Sequence, residues 1–238
     1  MITLEDFSDI VDWENFFKQS DSFKNAKPFK FGYVEEFFKR PFYEKLYETY
    51  PKYDETWDQS SEFNKSQFVR GFGENHYGEY AAPGKDDKLS PEWNKLYNYF
   101  HSEEFVENFR KFSRIPVKKM KTFRFTLYHK GGFQLPHIHN EGPSTLIVFF
   151  YFSKGWQKGD PGGTYVASEE DESKIIFETP NLDNTMTLLH DGPLSAHGVR
   201  YITKDVERRA LQVYFEGYSE ENGWTGRGFK EQKGNIEI

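Results

Sequence analysis

The 238-residue chain contains no cysteine. Disulfide scaffolds, thiol nucleophiles and thiolate-held zinc are excluded at once. Positive charge is also short, with 31 Lys and Arg against 38 Asp and Glu for a net charge of −7. Non-specific nucleic-acid binding needs a basic surface that displaces counterions, so no nucleic-acid partner is expected. Long apolar runs are missing too: the longest, Thr145–Phe152, falls far short of the roughly 20 residues of a membrane helix. The opening Met-Ile-Thr-Leu-Glu-Asp lacks a basic stretch followed by an apolar one. The expectation is therefore a soluble, cytoplasmic protein without a membrane partner. Nothing in the sequence speaks to its oligomeric state.

Aromatic residues are abundant: 25 Phe, 15 Tyr and 5 Trp make 19% of the chain, over half of its 36% apolar content. Compositional bias accounts for this better than an aromatic-lined site, because aromatics bury a large area per residue and fill a core well. The length fits one large domain, or one domain with a helical cap.

The first 115 residues read as helix and loop. Thr3 and Asp6 precede Phe7, Ile10, Val11, Phe16 and Phe17, a short amphipathic helix. Residues 27–34 look extended. Pro41 stands at a first helical position before Phe42, Leu46 and Tyr50, and Ser90-Pro91 repeats that signal before Trp93, Leu96, Tyr97 and Phe100. Phe105, Phe109 and Phe112 suggest a further helix, while residues 53–88 read as a long polar excursion over the surface. From about Val117 the period changes to two. Residues 120–128 alternate, Thr145–Phe152 is a continuous apolar strand, and Thr164–Ala167, 184–189 and 210–215 are further short strands. The reading is an α+β chain with a mainly β core, a sandwich or barrel on which N-terminal helices pack. The expected organisation is a helical support over 1–115, a β core over 116–218, and a polar tail over 219–238 with Trp224 as its only large anchor.

The chemistry is carried by histidine. His137-Ile138-His139 follows Gly131-Gly132 and Pro136. In an extended segment, residues i and i+2 point to the same side, so both imidazoles aim at one point. His197 lies sixty residues downstream, ahead of a strand that starts at Arg208-Arg209. Three nitrogen ligands with open positions suit a catalytic metal better than a structural one.

On these residues the chain resembles the iron(II)- and 2-oxoglutarate-dependent oxygenases of the prolyl 4-hydroxylase-like group. The likeness spans about 121–216 and extends more loosely to 27–57. It rests on His137, on Tyr151-Phe152-Ser153 before Trp156, on the Gly162-Gly163 turn, on His197, and on Arg208-Arg209-Ala210-Leu211-Gln212-Val213-Tyr214. The resemblance implies a double-stranded β-helix, the jelly-roll barrel also found in cupins. It further implies iron(II), 2-oxoglutarate as cosubstrate, and ascorbate as a candidate reductant. The implied reaction is hydroxylation of a small-molecule or peptidyl substrate with release of succinate and CO2. Arg208 then pairs with the far carboxylate of 2-oxoglutarate, Tyr151 offers that carboxylate a phenol, and Tyr128 faces the cosubstrate. Alternation groups Arg208, Ala210, Gln212 and Tyr214 on one strand face and Arg209, Leu211, Val213 and Phe215 on the other; the first is the more polar. Arg209 nevertheless remains the competing residue for that carboxylate. Arg124 shares a face with Tyr128 and is a further contact for an acidic group.

One position departs from the group's pattern, since His139 stands where an aspartate is usual. A subgroup from phages and marine bacteria is similar here, with Phe133-Gln134 before His137. Three neutral imidazoles leave iron(II) at +2, and a dianionic cosubstrate would neutralise it. Asn140 or Glu141 could complete the ligand set instead of His139. Two rival readings stay open: a three-histidine cupin-type dioxygenase without 2-oxoglutarate, and an inactive barrel serving as a binding module.

Overall fold

The computed structural model describes residues 6–73, 82–139 and 141–217. The expected tail at 219–238, Trp224 included, lies outside the described residues, as do His76 and Asn140. Five α-helices are described: α1 (Trp13–Phe17), α2 (Ser20–Asn25), α3 (Arg40–Glu48), α4 (Pro91–Phe100) and α5 (Glu103–Ser113). Eleven strands accompany them: β1 (Phe31–Glu35), β2 (Asp58–Glu62), β3 (Lys65–Arg70), β4 (Lys119–Tyr128), β5 (Phe133–His137), β6 (Thr145–Phe152), β7 (Thr164–Ala167), β8 (Ile175–Glu178), β9 (Asp183–His190), β10 (His197–Val199) and β11 (Arg208–Glu216). They form one antiparallel sheet in the order β1-β9-β6-β11-β4-β3-β5-β10-β7-β8, with β2 paired to β3. The sheet curls until its ends meet through aromatic rings, Phe31 and Tyr33 against Phe177 at 5.7 and 6.0 Å between centroids. This is a double-stranded β-helix with a helical layer on one side. None of the described helices is long and apolar enough to cross a membrane.

Parity along the central strands decides which side chains meet the helices. Phe123, Phe125 and Leu127 of β4, Val148, Phe150 and Phe152 of β6, and Leu211, Val213 and Phe215 of β11 all join the core that the helices complete. The opposite parity, Tyr128, Ile147, Phe149, Tyr151, Ala210 and Tyr214, points into the barrel. Helix α4 begins where Ser90 accepts a hydrogen bond from the Trp93 amide and Pro91 supplies a preset φ. Its Trp93 is fully buried, with Phe125 at 4.8 Å and Phe152 at 5.0 Å. Trp93→Ala should lower the unfolding free energy by about 3–5 kcal/mol, read from urea denaturation. A loss below about 1 kcal/mol would mean that the layers slide together to fill the void.

Two expected elements differ. The first helix starts only at Trp13, because the Asp12 carboxylate caps the Asn15 amide while Val11 bridges to Phe38 as extended chain. The excursion at 53–88 is not all loop. It contains the β2–β3 hairpin, and β3 pairs with both β4 and β5. Strands β1, β2 and β3, all before residue 116, are thus hydrogen-bonded into the sheet.

Candidate metal centre

His137 closes β5 and His197 opens β10, and the two are direct partners in the antiparallel register. His139, two residues on, turns its ring to the same side. The three rings have centroids 4.4–5.2 Å apart, and one nitrogen from each lies within 4.8 Å of the others. This group could hold a metal ion. Strand β10 reaches this position only because residue 198 is glycine: a Cβ there would lie 2.5 Å from the Gln134 carbonyl oxygen and 2.3 Å from the Tyr165 hydroxyl.

The hydrogen bonds fix which nitrogens face inward. His137 Nδ1 lies 3.0 Å from the Leu135 carbonyl, and His197 Nδ1 lies 2.8 Å from the Ser195 carbonyl. A carbonyl only accepts, so both Nδ1 atoms donate and both Nε2 lone pairs are left for an ion. His197 Nε2 is buried without a hydrogen-bond partner. His137 Nε2 and His139 Nε2 are 3.2 Å apart. Two imidazole nitrogens about 2.1 Å from one ion, at right angles, would be separated by about 3 Å. His139 Nε2 also lies 3.0 Å from the Tyr214 hydroxyl, which accepts from Gln212 Nε2 at 3.0 Å. The phenol proton is thereby directed at His139, and a metal would take that nitrogen from it.

Burial keeps these rings neutral. It pushes His139 down to about 3, helped by the neighbouring His137 and the cations Arg124, Lys121 and Lys65. Burial also lowers His137 and, together with its two histidine neighbours, takes His197 well below its ordinary value. The unfolded chain takes up protons near pH 6.5, whereas the folded His139 does so only near 3. Stability is therefore full above 6.5 and is lost as the pH falls through that interval, by about 1.4 kcal/mol per pH unit for each histidine so held. The metal-free protein should have a distinctly lower urea midpoint at pH 5 than at pH 7. An unchanged midpoint would mean that the imidazoles accept charge in the folded state.

Beside the histidines lies a cavity of about 110 Å³. Arg208 is at its deep end, 1% exposed. Its Nε donates to the Gly162 carbonyl at 3.0 Å and its Nη2 to Thr164 Oγ1 at 2.9 Å. The guanidinium lies over the rings of Tyr128 and Tyr151, at 4.9 and 5.2 Å. Among the described residues no carboxylate pairs with it. Arg209 faces the helical layer, ion-paired with Glu207 and lying over Tyr50. Tyr128 lines the cavity, its hydroxyl 2.5 Å from Gln67 Oε1, and burial raises it to about 12. Tyr151 is set back behind Arg208, with its hydroxyl 3.5 Å from Thr179 Oγ1. Glu141 is engaged by Lys121 at 2.8 Å and is no part of the three-histidine group. Arg124 lines the cavity, as do Lys65, Gln67 and Gln134.

Sequence reasoning missed Lys65, Gln67 and Gln134. A usable signal for the first two was present: the β2 and β3 segments flank the two-residue connection Phe63-Asn64, a hairpin spacing.

No protein-family profile matches the sequence, and no curated protein matches it. Solved structures match the fold. A prolyl-4-hydroxylase from Pseudomonas putida is 12% identical with a TM-score of 0.57, covering 82% of this chain and 97% of its own. A prolyl hydroxylase from Trichoplax adhaerens, in complex with a hypoxia inducible factor oxygen degradation domain peptide fragment, is 12% identical at 0.58, over 85% and 88%. HygX from Streptomyces hygroscopicus, with nickel, 2-oxoglutarate and hygromycin B bound, is 12% identical at 0.50, over 90% and 94%. The chain shares the fold of prolyl-4-hydroxylase-like 2-oxoglutarate–iron(II) oxygenases.

Proposed function

We propose that the chain is a non-haem iron(II) dioxygenase that uses 2-oxoglutarate to hydroxylate a C–H bond of a small-molecule or peptidyl substrate in the cytoplasm. The observation that carries this reading is Arg208. A buried guanidinium, here without an acidic partner among the described residues, is costly unless an anion completes it, and this one shares its cavity with His139 and His197. Its planar fork suits a carboxylate bidentately.

In this reading His137 and His197 hold iron(II) through the Nε2 atoms that their backbone hydrogen bonds leave for it, and His139 completes the set. Arg208 binds the far carboxylate of 2-oxoglutarate, and Tyr128 forms the adjoining wall. Tyr151 supports the guanidinium from behind and, by the same likeness, lends its phenol to the carboxylate. When bound, iron and cosubstrate supply oxygen-dependent hydroxylation with release of succinate and CO2, and ascorbate serves as the reductant that maintains iron(II). The chain's own share is to orient these groups and to exclude water from them. Three neutral ligands leave the ion at +2, so a dianion neutralises the centre and its binding is favoured.

Anaerobic titration with iron(II), with and without 2-oxoglutarate, tests the reading. A weak visible charge-transfer band should appear only when both are present. Iron binding without a band, and without an effect of Arg208→Ala, would transfer the chain to the three-histidine class that needs no cosubstrate. Failure to bind iron at all would leave a binding module.

A further inference from the structure

Gln134 stands next to the three histidines in an arrangement that only an ion completes. Its backbone is fixed on both sides, opposite Lys65 of β3 and Val199 of β10. Its half-buried side chain enters the cavity that His139 and His197 line. There the amide nitrogen lies 3.3 Å from His137 Nε2, and the amide oxygen lies 3.3 Å from the Tyr128 hydroxyl.

Neither contact is a good one. His137 Nδ1 donates to the Leu135 carbonyl, so its Nε2 carries a lone pair, and Gln134 Nε2 donates to it from just beyond the usual hydrogen-bond range. The Tyr128 hydroxyl has a single proton to give. Gln67 Oε1 takes it at 2.5 Å, an O–H···O separation too short for an amide N–H. Gln134 Oε1 is thus set against the phenol oxygen with no proton between them. An ion on the histidines would remove the other contact as well, because it takes the His137 lone pair.

Turning the amide over about its last torsion repairs both ends without moving the strand. Gln134 Nε2 then donates to the phenol oxygen, which still donates to Gln67 Oε1. Gln134 Oε1 comes to the nitrogen's place, close to His137 Nε2. Without a cation two lone pairs would oppose each other there; with one, both point at it. Donors about 2.1 Å from one ion and at right angles are separated by about 3 Å. The 3.3 Å between Gln134 and His137 fits that separation, as does the 3.2 Å between His137 and His139. Side-chain amide oxygens are ordinary ligands of divalent cations.

We infer that Gln134 Oε1 is a fourth protein donor to the ion while the cosubstrate is absent, and that it gives up its place when the cosubstrate binds. The second half rests on the iron and 2-oxoglutarate reading. An octahedral ion with four protein donors keeps two positions. A chelating 2-oxoglutarate fills both, and reaction with oxygen needs one more, so one protein donor has to leave. Imidazole suits iron better than a carbonyl oxygen does, which makes the amide the donor that yields.

Cobalt(II) serves as the probe, titrated into the whole chain with and without saturating 2-oxoglutarate and read by its visible absorption. Without cosubstrate, Gln134→Leu should bind cobalt about tenfold more weakly than the unaltered protein. With it, the two affinities should agree within about twofold, and by linkage 2-oxoglutarate should bind the cobalt-loaded variant about tenfold more tightly. Gln134→Glu keeps the oxygen and adds a charge, so it should bind cobalt more tightly than the unaltered protein and admit 2-oxoglutarate less readily. Equal cobalt affinity of Gln134→Leu and the unaltered protein without cosubstrate overturns the inference. Weakening in Gln134→Glu overturns it too, because the shape of the side chain and not its oxygen would then be decisive. A deficit in Gln134→Leu that persists while 2-oxoglutarate strengthens cobalt binding in both proteins overturns the release. If 2-oxoglutarate alters cobalt binding in neither protein, that deficit upholds the fourth donor and the cosubstrate reading falls. Absence of cobalt binding in the unaltered protein overturns both.

Discussion

Arg208→Met should abolish 2-oxoglutarate binding without harming the fold. Truncating one member of a buried, hydrogen-bonded charge pair costs about 2–5 kcal/mol, which is about 30-fold to several thousand-fold in affinity. The sign of the second effect is the informative part. In the ligand-free protein the guanidinium is 1% exposed and has no acidic partner among the described residues. Its removal relieves a desolvated charge, while the methionine retains most of the volume beneath Tyr128 and Tyr151. The ligand-free variant should therefore melt at or above the temperature of the unaltered protein. Metal and 2-oxoglutarate should raise the melting temperature of the unaltered protein only. Arg208→Lys should fall between, since it keeps the charge and loses the fork. A variant that melts much lower without ligand would make Arg208 a structural strut, and the cosubstrate assignment would lose its main support.

The second large effect concerns the third ligand. His139→Ala should weaken iron(II) binding by about 100-fold or more, since even loss of a group behind a ligand costs about 10–100-fold. Glu141→Ala should leave it nearly unchanged, because that carboxylate is taken by Lys121. Calorimetric iron titration of the two variants decides between them. The reverse result, with Glu141 indispensable and His139 neutral, would place the third donor after the Asn-Glu-Gly turn and return a carboxylate to the centre.

How much of this was legible in the sequence depends on the range of the forces involved. Parity along β4 and β11 was plain, because each packs a helical layer on one face and a cavity on the other, whereas β6 is apolar on both faces and hid its own parity. Alternation sent Arg208 and Arg209 to opposite faces, but the sequence left both as candidates for the carboxylate; in the structure Arg208 lines the cavity and Arg209 faces the helical layer. His137 and His139 were paired by local extension alone. The hairpin was obscured because Asp58-Gln59-Ser60-Ser61-Glu62 has the composition of a loop, and its pairing is fixed by β4 and β5 from more than fifty residues away. Lys65 and Gln67 were lost with it. The aromatic excess is explained mainly by packing between helices and sheet, where Trp13, Phe16, Phe37, Phe105, Phe109 and Phe215 interlock. Among the described residues, only Tyr128, Phe149 and Tyr214 of that excess reach the cavity wall.

Gly198 brings no side chain and no charge to the centre, yet the seat of His197 is set by that missing side chain. Any replacement forces β10 away from Gln134 and Tyr165 and carries His197 with it. In a saturation screen that scores metal loading, position 198 should therefore be as intolerant as the three histidines. The heritable specification of this centre thus includes an absence, and a comparison of donor residues alone would overlook it.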